Sequence, residues 1–156
     1  MQKPIILFLL IPLLAACQQN KPAAKPGLTA VYTQAIGDFI VAANEQNKTN
    51  FDTLYFGKRA NGQPDDFPDI ELPATINHTV IRLVLPEEGT RLQNQRKQRV
   101  YINLMGWVEP DTASFIFVVF SNGFTHQYDY TINYRYNPAT QKYKLKNVQF
   151  AGPPFK

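Results

Sequence analysis

The chain has 156 residues, 44% of them hydrophobic, and a formal net charge of +4. Its one cysteine, Cys17, excludes an internal disulfide, and with two histidines, His78 and His126, the chain is poorly supplied for a zinc site, which takes three or four ligands. The mild basic excess fits ordinary solubility and also suits anionic surfaces such as lipid head groups.

Lys3 gives a positive start, followed by ten apolar residues, Ile5 to Leu14, then the small residues Ala15 and Ala16. This is the layout of a secretory signal peptide. The run is too short to span a bilayer, which needs about 20 apolar residues, and Pro12 inside it would kink a helix.

Leu14-Ala15-Ala16-Cys17 resembles the lipobox of bacterial lipoproteins, and the resemblance covers residues 1–19. It implies cleavage between Ala16 and Cys17, a diacylglycerol on the Cys17 sulfur, and acylation of the new amino group. Two or more acyl chains hold a protein stably, where one holds it marginally. An ordinary secreted protein cut near Ala16 would leave Cys17 as an odd thiol. Gln18 stands where an Asp would resemble an inner-membrane retention signal, so the outer membrane of a Gram-negative envelope is the expected address. A nucleic-acid partner does not suit that location. The expected organisation is a signal peptide (1–16), a lipidated tether (17–27) and one domain (28–156), long enough to bury its own core.

Gln18 to Gly27 is polar and carries Pro22 and Pro26, with no apolar period. Ten extended residues reach about 35 Å, enough to lift a domain clear of head groups. Thr29 to about Asn47 predicts an amphipathic helix: Leu28, Tyr32, Ala35, Ile36, Phe39, Ile40 and Ala43 recur at steps of three and four. Thr29 is the expected N-cap, and Gly37 would allow close packing against a sheet.

Leu54-Tyr55-Phe56 predicts a short strand. Residues 57–75 are punctuated by Gly57, Gly62, Pro64, Pro68 and Pro73 and carry Asp65, Asp66, Asp69 and Glu71. The acids match no calcium-loop spacing, so a solvated loop is expected. Ile76 to Leu85 predicts one strand, with Ile81, Leu83 and Leu85 on one face and Ile76, His78, Val80, Arg82 and Val84 on the other. Pro86 to Arg99 is polar and basic, and could face the acidic 65–71 segment.

Val100 to Val108 and Ser114 to Phe120 predict a hairpin around Glu109 to Ala113. Phe115 to Phe120 is apolar on both faces, the mark of a central strand buried on both sides. His126 to Tyr136 alternates strictly: His126, Tyr128, Tyr130, Ile132, Tyr134 and Tyr136 share one face, and Gln127, Asp129, Thr131, Asn133 and Arg135 the other. Tyr143 to Lys146 alternates again after a turn at Asn137 to Thr140. The phase slips near Asn147, which predicts a β-bulge.

The expected fold is α+β, an antiparallel sheet of about four to six strands with the helix across one face. A β-sandwich with one helix is the alternative. The order of elements is similar to cystatin-like and NTF2-like domains, whose curved sheet embraces an N-terminal helix, but only in pattern.

No cofactor motif is present. Ser114 and Ser121, the serines, lie in no nucleophile-elbow setting. The unusual feature is the tyrosine face. His126, Tyr128, Tyr130 and Tyr134 are either half-buried core with hydroxyls at the rim, or a ligand groove of aromatic bodies with polar tips. The expected function is therefore a non-catalytic envelope lipoprotein that binds a protein, glycan or small ligand. The alternative is a small enzyme with an NTF2-like pocket, His126 acting as acid or base among the tyrosines.

Overall fold

The computed structural model describes residues 26–47, 50–57, 67–85, 87–89, 91, 100–121 and 126–152. The lipobox, the tether up to Lys25, and Asp65 and Asp66 lie outside the described residues, as does most of the basic 86–99 segment.

Among the described residues the helix α1 (Leu28–Asn47) precedes seven strands: β1 (Thr53–Gly57), β2 (Thr75–Ile76), β3 (Thr79–Val84), β4 (Val100–Val108), β5 (Thr112–Ser121), β6 (His126–Asn137) and β7 (Lys142–Ala151). All seven form one sheet in the order β2-β3-β1-β4-β5-β6-β7. The sheet curls into a half-barrel, and α1 lies against its concave face. The class is α+β, as expected. The two-sheet alternative is not formed by the described strands, and their number exceeds the four to six expected.

The sheet is mixed rather than antiparallel. β1 sits between β3 and β4 and runs parallel to both, with Leu54 opposite Ile81 on one side and Val100 on the other. Parallel neighbours need crossover connections of about a dozen residues or more. The chain segments 58–74, between β1 and β2, and 85–99, between β3 and β4, are the connections that return the chain in the same direction.

The helical stripe is buried as the spacing predicts. Tyr32, Ala35, Ile36, Phe39, Ile40 and Ala43 are all buried, joined by Val31, whereas Leu28 at the first turn is exposed. Thr29 is not the cap. The backbone amides of Ala30 and Val31 reach back to the Gly27 carbonyl, so the first turn begins at Leu28.

The expected strand 76–85 is broken. Asn77 and His78 both have positive φ (48° and 66°) and form a two-residue turn between β2 and β3. Two successive positive-φ residues give the turn whose twist matches antiparallel strands. Pairing Ile76 with Thr79 puts Ile76 on the same face as Thr79 and Ile81, opposite to the face a continuous strand would give it. His78 is exposed at the turn instead of lying on a strand face with Arg82. The Asn77 side chain donates to the Gly37 carbonyl at 3.0 Å, pinning the turn to α1 where the glycine leaves room.

β5 is central, between β4 and β6. Its concave-side residues Phe115, Phe117 and Val119 are fully buried, but Ile116, Val118 and Phe120 on the convex side are only half-buried. Burial on both sides is thus incomplete: α1 covers one face only. The expected bulge is present: Asn133 pairs with Asn147 and Tyr134 with Leu145, leaving Lys146 as the extra residue. It returns Val148 and Phe150 to the concave side, opposite Ile132 and Tyr130.

Candidate functional site

The tyrosine face of β6 lies under α1. Tyr128, Tyr130 and Tyr134 are at most 2% exposed. Their rings are held by aromatic neighbours that the alternation of β5 and the helical stripe bring to the same side. Phe39 stacks on Phe117 at 4.4 Å between ring centroids and meets Tyr130 edge-on at 5.2 Å. Tyr134 packs edge-on against Phe115, and Tyr128 stacks on Phe150. Offset and edge-on arrangements of this kind add to the burial of the rings themselves.

The polar tips are tied inward as well. The Tyr134 hydroxyl donates to Asp38 Oδ2 at 2.7 Å. Burial, and then the Asp38 carboxylate beside it, push the Tyr134 phenol well above its ordinary range. Tyr143, on β7, donates to the Glu109 carbonyl at 2.7 Å, and its phenol is also raised, by burial first and then by Tyr136 and Asp111. Tyr32 reaches from α1 to the Gly106 carbonyl at 3.4 Å, and burial raises its phenol too. These hydroxyls act as neutral donors to backbone and carboxylate oxygens, which is the chemistry of a pinned core.

His126 opens β6 in register with Ser121, at the strand end farthest from Tyr136. Its imidazole lies outside the described groups, as do Ala16 and Cys17. The structure therefore brings Tyr128, Tyr130 and Tyr134 together on one buried face, where Tyr130 meets Phe39 and Tyr134 meets Asp38 of the helix. No three His, Cys, Asp or Glu side chains converge as a metal-binding group among the described residues.

An opening lies beside this face. An open cleft of about 300 Å³ runs between the C-terminal half of α1 and the edge strand β7, lined by Ala42, Glu45, Gln46, Tyr130, Val148 and Phe150. Its floor is apolar and its helix wall polar. Val148 is 37% exposed and nearby Leu145, on the same side of β7, 41%. The sequence contained the signal for this cleft in the phase slip at Lys146–Asn147, which turns Val148 and Phe150 toward the helix. Ala42, Glu45 and Gln46 fall at the margin of the helical stripe and carry no such signal.

Comparison with protein-family models, with curated proteins and with solved structures gave no match to this chain. The site is therefore interpreted from its own geometry.

Proposed function

We propose that this protein is a lipid-anchored bacterial envelope lipoprotein whose domain binds a partner rather than carrying out a reaction. The observation that carries the reading is Leu14-Ala15-Ala16-Cys17 directly behind the apolar run Ile5 to Leu14. Cys17 becomes the acylated N-terminus, and residues 17–27 tether the domain to the bilayer. Gln18 favours the outer membrane.

The domain supports a binding role through what it leaves open. The tyrosine face is largely covered by α1 and serves mainly as scaffold, with Tyr130 also lining the cleft at its edge. Among the described residues, an accessible concavity is the shallow cleft between α1 and β7, where apolar Val148 and Phe150 meet Glu45 and Gln46. Sites for small molecules and short segments commonly combine an apolar floor with a few polar groups. A protein segment or glycan of the envelope is the class of partner that such an open cleft suits.

The test of the anchor is fractionation and fatty-acid labelling in cells. Wild type should incorporate labelled palmitate and pellet with membranes after detergent-free lysis, and Cys17→Ser should do neither. A Cys17→Ser protein held in the membrane as firmly as wild type would overturn the reading.

A further inference from the structure

The convex face of β6–β7 carries a strip of cations that the binding cleft does not use. Lys142, Lys144 and Lys146 alternate along β7 and so share one face, and Arg135 on β6 stands directly opposite Lys144. All four are exposed. None makes an ion pair with a carboxylate among the described residues. Asp129, the acid on the same face of β6, lies six residues away, about 20 Å along a strand. Glu109 and Asp111, in the β4–β5 turn at this end, are the nearest acidic residues in the topology, and Glu109 Oε2 already accepts from Thr112.

Edge strands often carry lysine to prevent strand addition. That role explains Lys142 and Lys144 but does not call for Arg135. Like charges placed directly across a strand pair are destabilising, so the Arg135–Lys144 pair is a cost that the isolated fold bears and an anionic partner would relieve.

Two further observations say which partner. First, the chain enters the domain at this end. The N-terminal half of α1 lies over the C-terminal part of β4 and the start of β7: the Tyr32 hydroxyl meets the Gly106 carbonyl, and Gln34 Nε2 donates to the Tyr143 carbonyl. Gly27 and Leu28, at the N-terminal end of α1, lie one turn further in the same direction. Second, Trp107 is 43% exposed on the convex side of β4, in the row next to Arg135 and two strands, about 10 Å, from it. Tryptophan beside lysine and arginine is the composition of groups that sit at a bilayer's head-group level.

We propose that the convex face of β6–β7, with Arg135, Lys142, Lys144, Lys146 and Trp107, docks on an anionic phospholipid surface and sets the orientation of the tethered domain. This deepens the lipid-anchor reading of Cys17. Docking by this face leaves the cleft between α1 and β7, on the opposite side of the sheet, free for a partner.

The test uses residues 17–156 with Cys17→Ser, so that no acyl chain contributes, in co-sedimentation with vesicles of phosphatidylcholine alone or with phosphatidylglycerol added. Binding should require phosphatidylglycerol and weaken steeply as salt is raised. Replacing Arg135, Lys142, Lys144 and Lys146 by Gln should reduce it at least ~10-fold, with an unchanged thermal melt. Trp107→Ala should weaken it without altering the salt dependence. Equal binding to both vesicle types, or salt-insensitive binding by the parent chain, would overturn the proposal whether or not the Gln variant folds. So would a folded Gln variant that binds like the parent, or charge-dependent capture by a soluble acidic polysaccharide with none by vesicles. Because this protein carries no lipid, the result is independent of whether Cys17 is acylated in cells, which fractionation decides.

Discussion

The Tyr134 hydroxyl donates a 2.7 Å hydrogen bond to Asp38 Oδ2 and so ties β6 to the middle of the helix. Tyr134 is 2% exposed. Tyr134→Phe keeps the ring and removes the donor, leaving a half-buried carboxylate without it. A loss of about 1–3 kcal/mol is expected, the range for hydrogen bonds to charged groups and for stranded buried ones. Urea unfolding of the variant measures it, and no change in midpoint would contradict the role assigned to the pair.

The same pair predicts how stability depends on pH. The Tyr134 phenol is raised above its ordinary value of 10.0 in the fold, as are those of Tyr32 and Tyr143. Above pH 10 the unfolded chain then loses protons that the folded chain keeps. The stabilisation is complete below pH 10 and falls as pH rises beyond it. Melting temperatures between pH 8 and 11.5 should decline above 10, and Tyr134→Phe should flatten that decline. An unaltered slope would show that the other tyrosines carry the effect.

Phe117 and Val118 are neighbours on β5 with opposite fates. Phe117 is fully buried against Phe39, whereas Val118 is half-buried on the uncovered side. Phe117→Ala should destabilise by about 3–5 kcal/mol. Val118→Ala should remove far less, on the order of 1 kcal/mol, because less apolar area leaves contact. Equal losses would mean that the convex face is as well covered as the concave one.

Gly106 on β4 faces the Tyr32 side chain of α1. A Cβ there would meet the Tyr32 hydroxyl and the edge of the Phe115 ring. Gly106→Ala should cost about 1–3 kcal/mol, as overpacking does. Adding Tyr32→Phe removes the obstructing hydroxyl and should restore part of the loss. Strictly additive losses in that double-mutant cycle would place the strain elsewhere.

At Asn77 the backbone has φ 48° and the side chain donates to the Gly37 carbonyl. Asn77→Gly keeps the backbone freedom and loses the bond, worth about 0.5–1.5 kcal/mol. Asn77→Ala loses the bond and adds about 1–2 kcal/mol for a left-handed residue with a Cβ. Thermal melts should rank wild type above Gly above Ala, and the reverse order of the two variants would exclude the turn as drawn.

Local periodicity was a sound guide wherever one face of an element is buried. The helical stripe from Tyr32 to Ala43, the alternation of β6 and the bulge at Lys146 were all legible, because the side chains that must face the core recur at the element's own period. The break at Asn77–His78 was not. Ile76 to Leu85 reads as an unbroken β-prone run, and neither a glycine nor a proline interrupts it. The turn is selected by Asn77 reaching the Gly37 carbonyl 40 residues away, a partner that only the packed helix supplies.

The sequence by itself determined the helix, most strands with their buried faces, and the single cysteine behind an apolar run, since these rest on local spacing and residue type. Only the tertiary structure decided the pairing. β1 lies between β3 and β4 because crossovers brought it there, and strand partners separated by tens of residues leave no periodic trace. The same holds for the tyrosines of β6. Alternation placed them on one face, but whether that face meets solvent or a helix depends on where α1 packs. With Phe39 and Asp38 above them, they are interior.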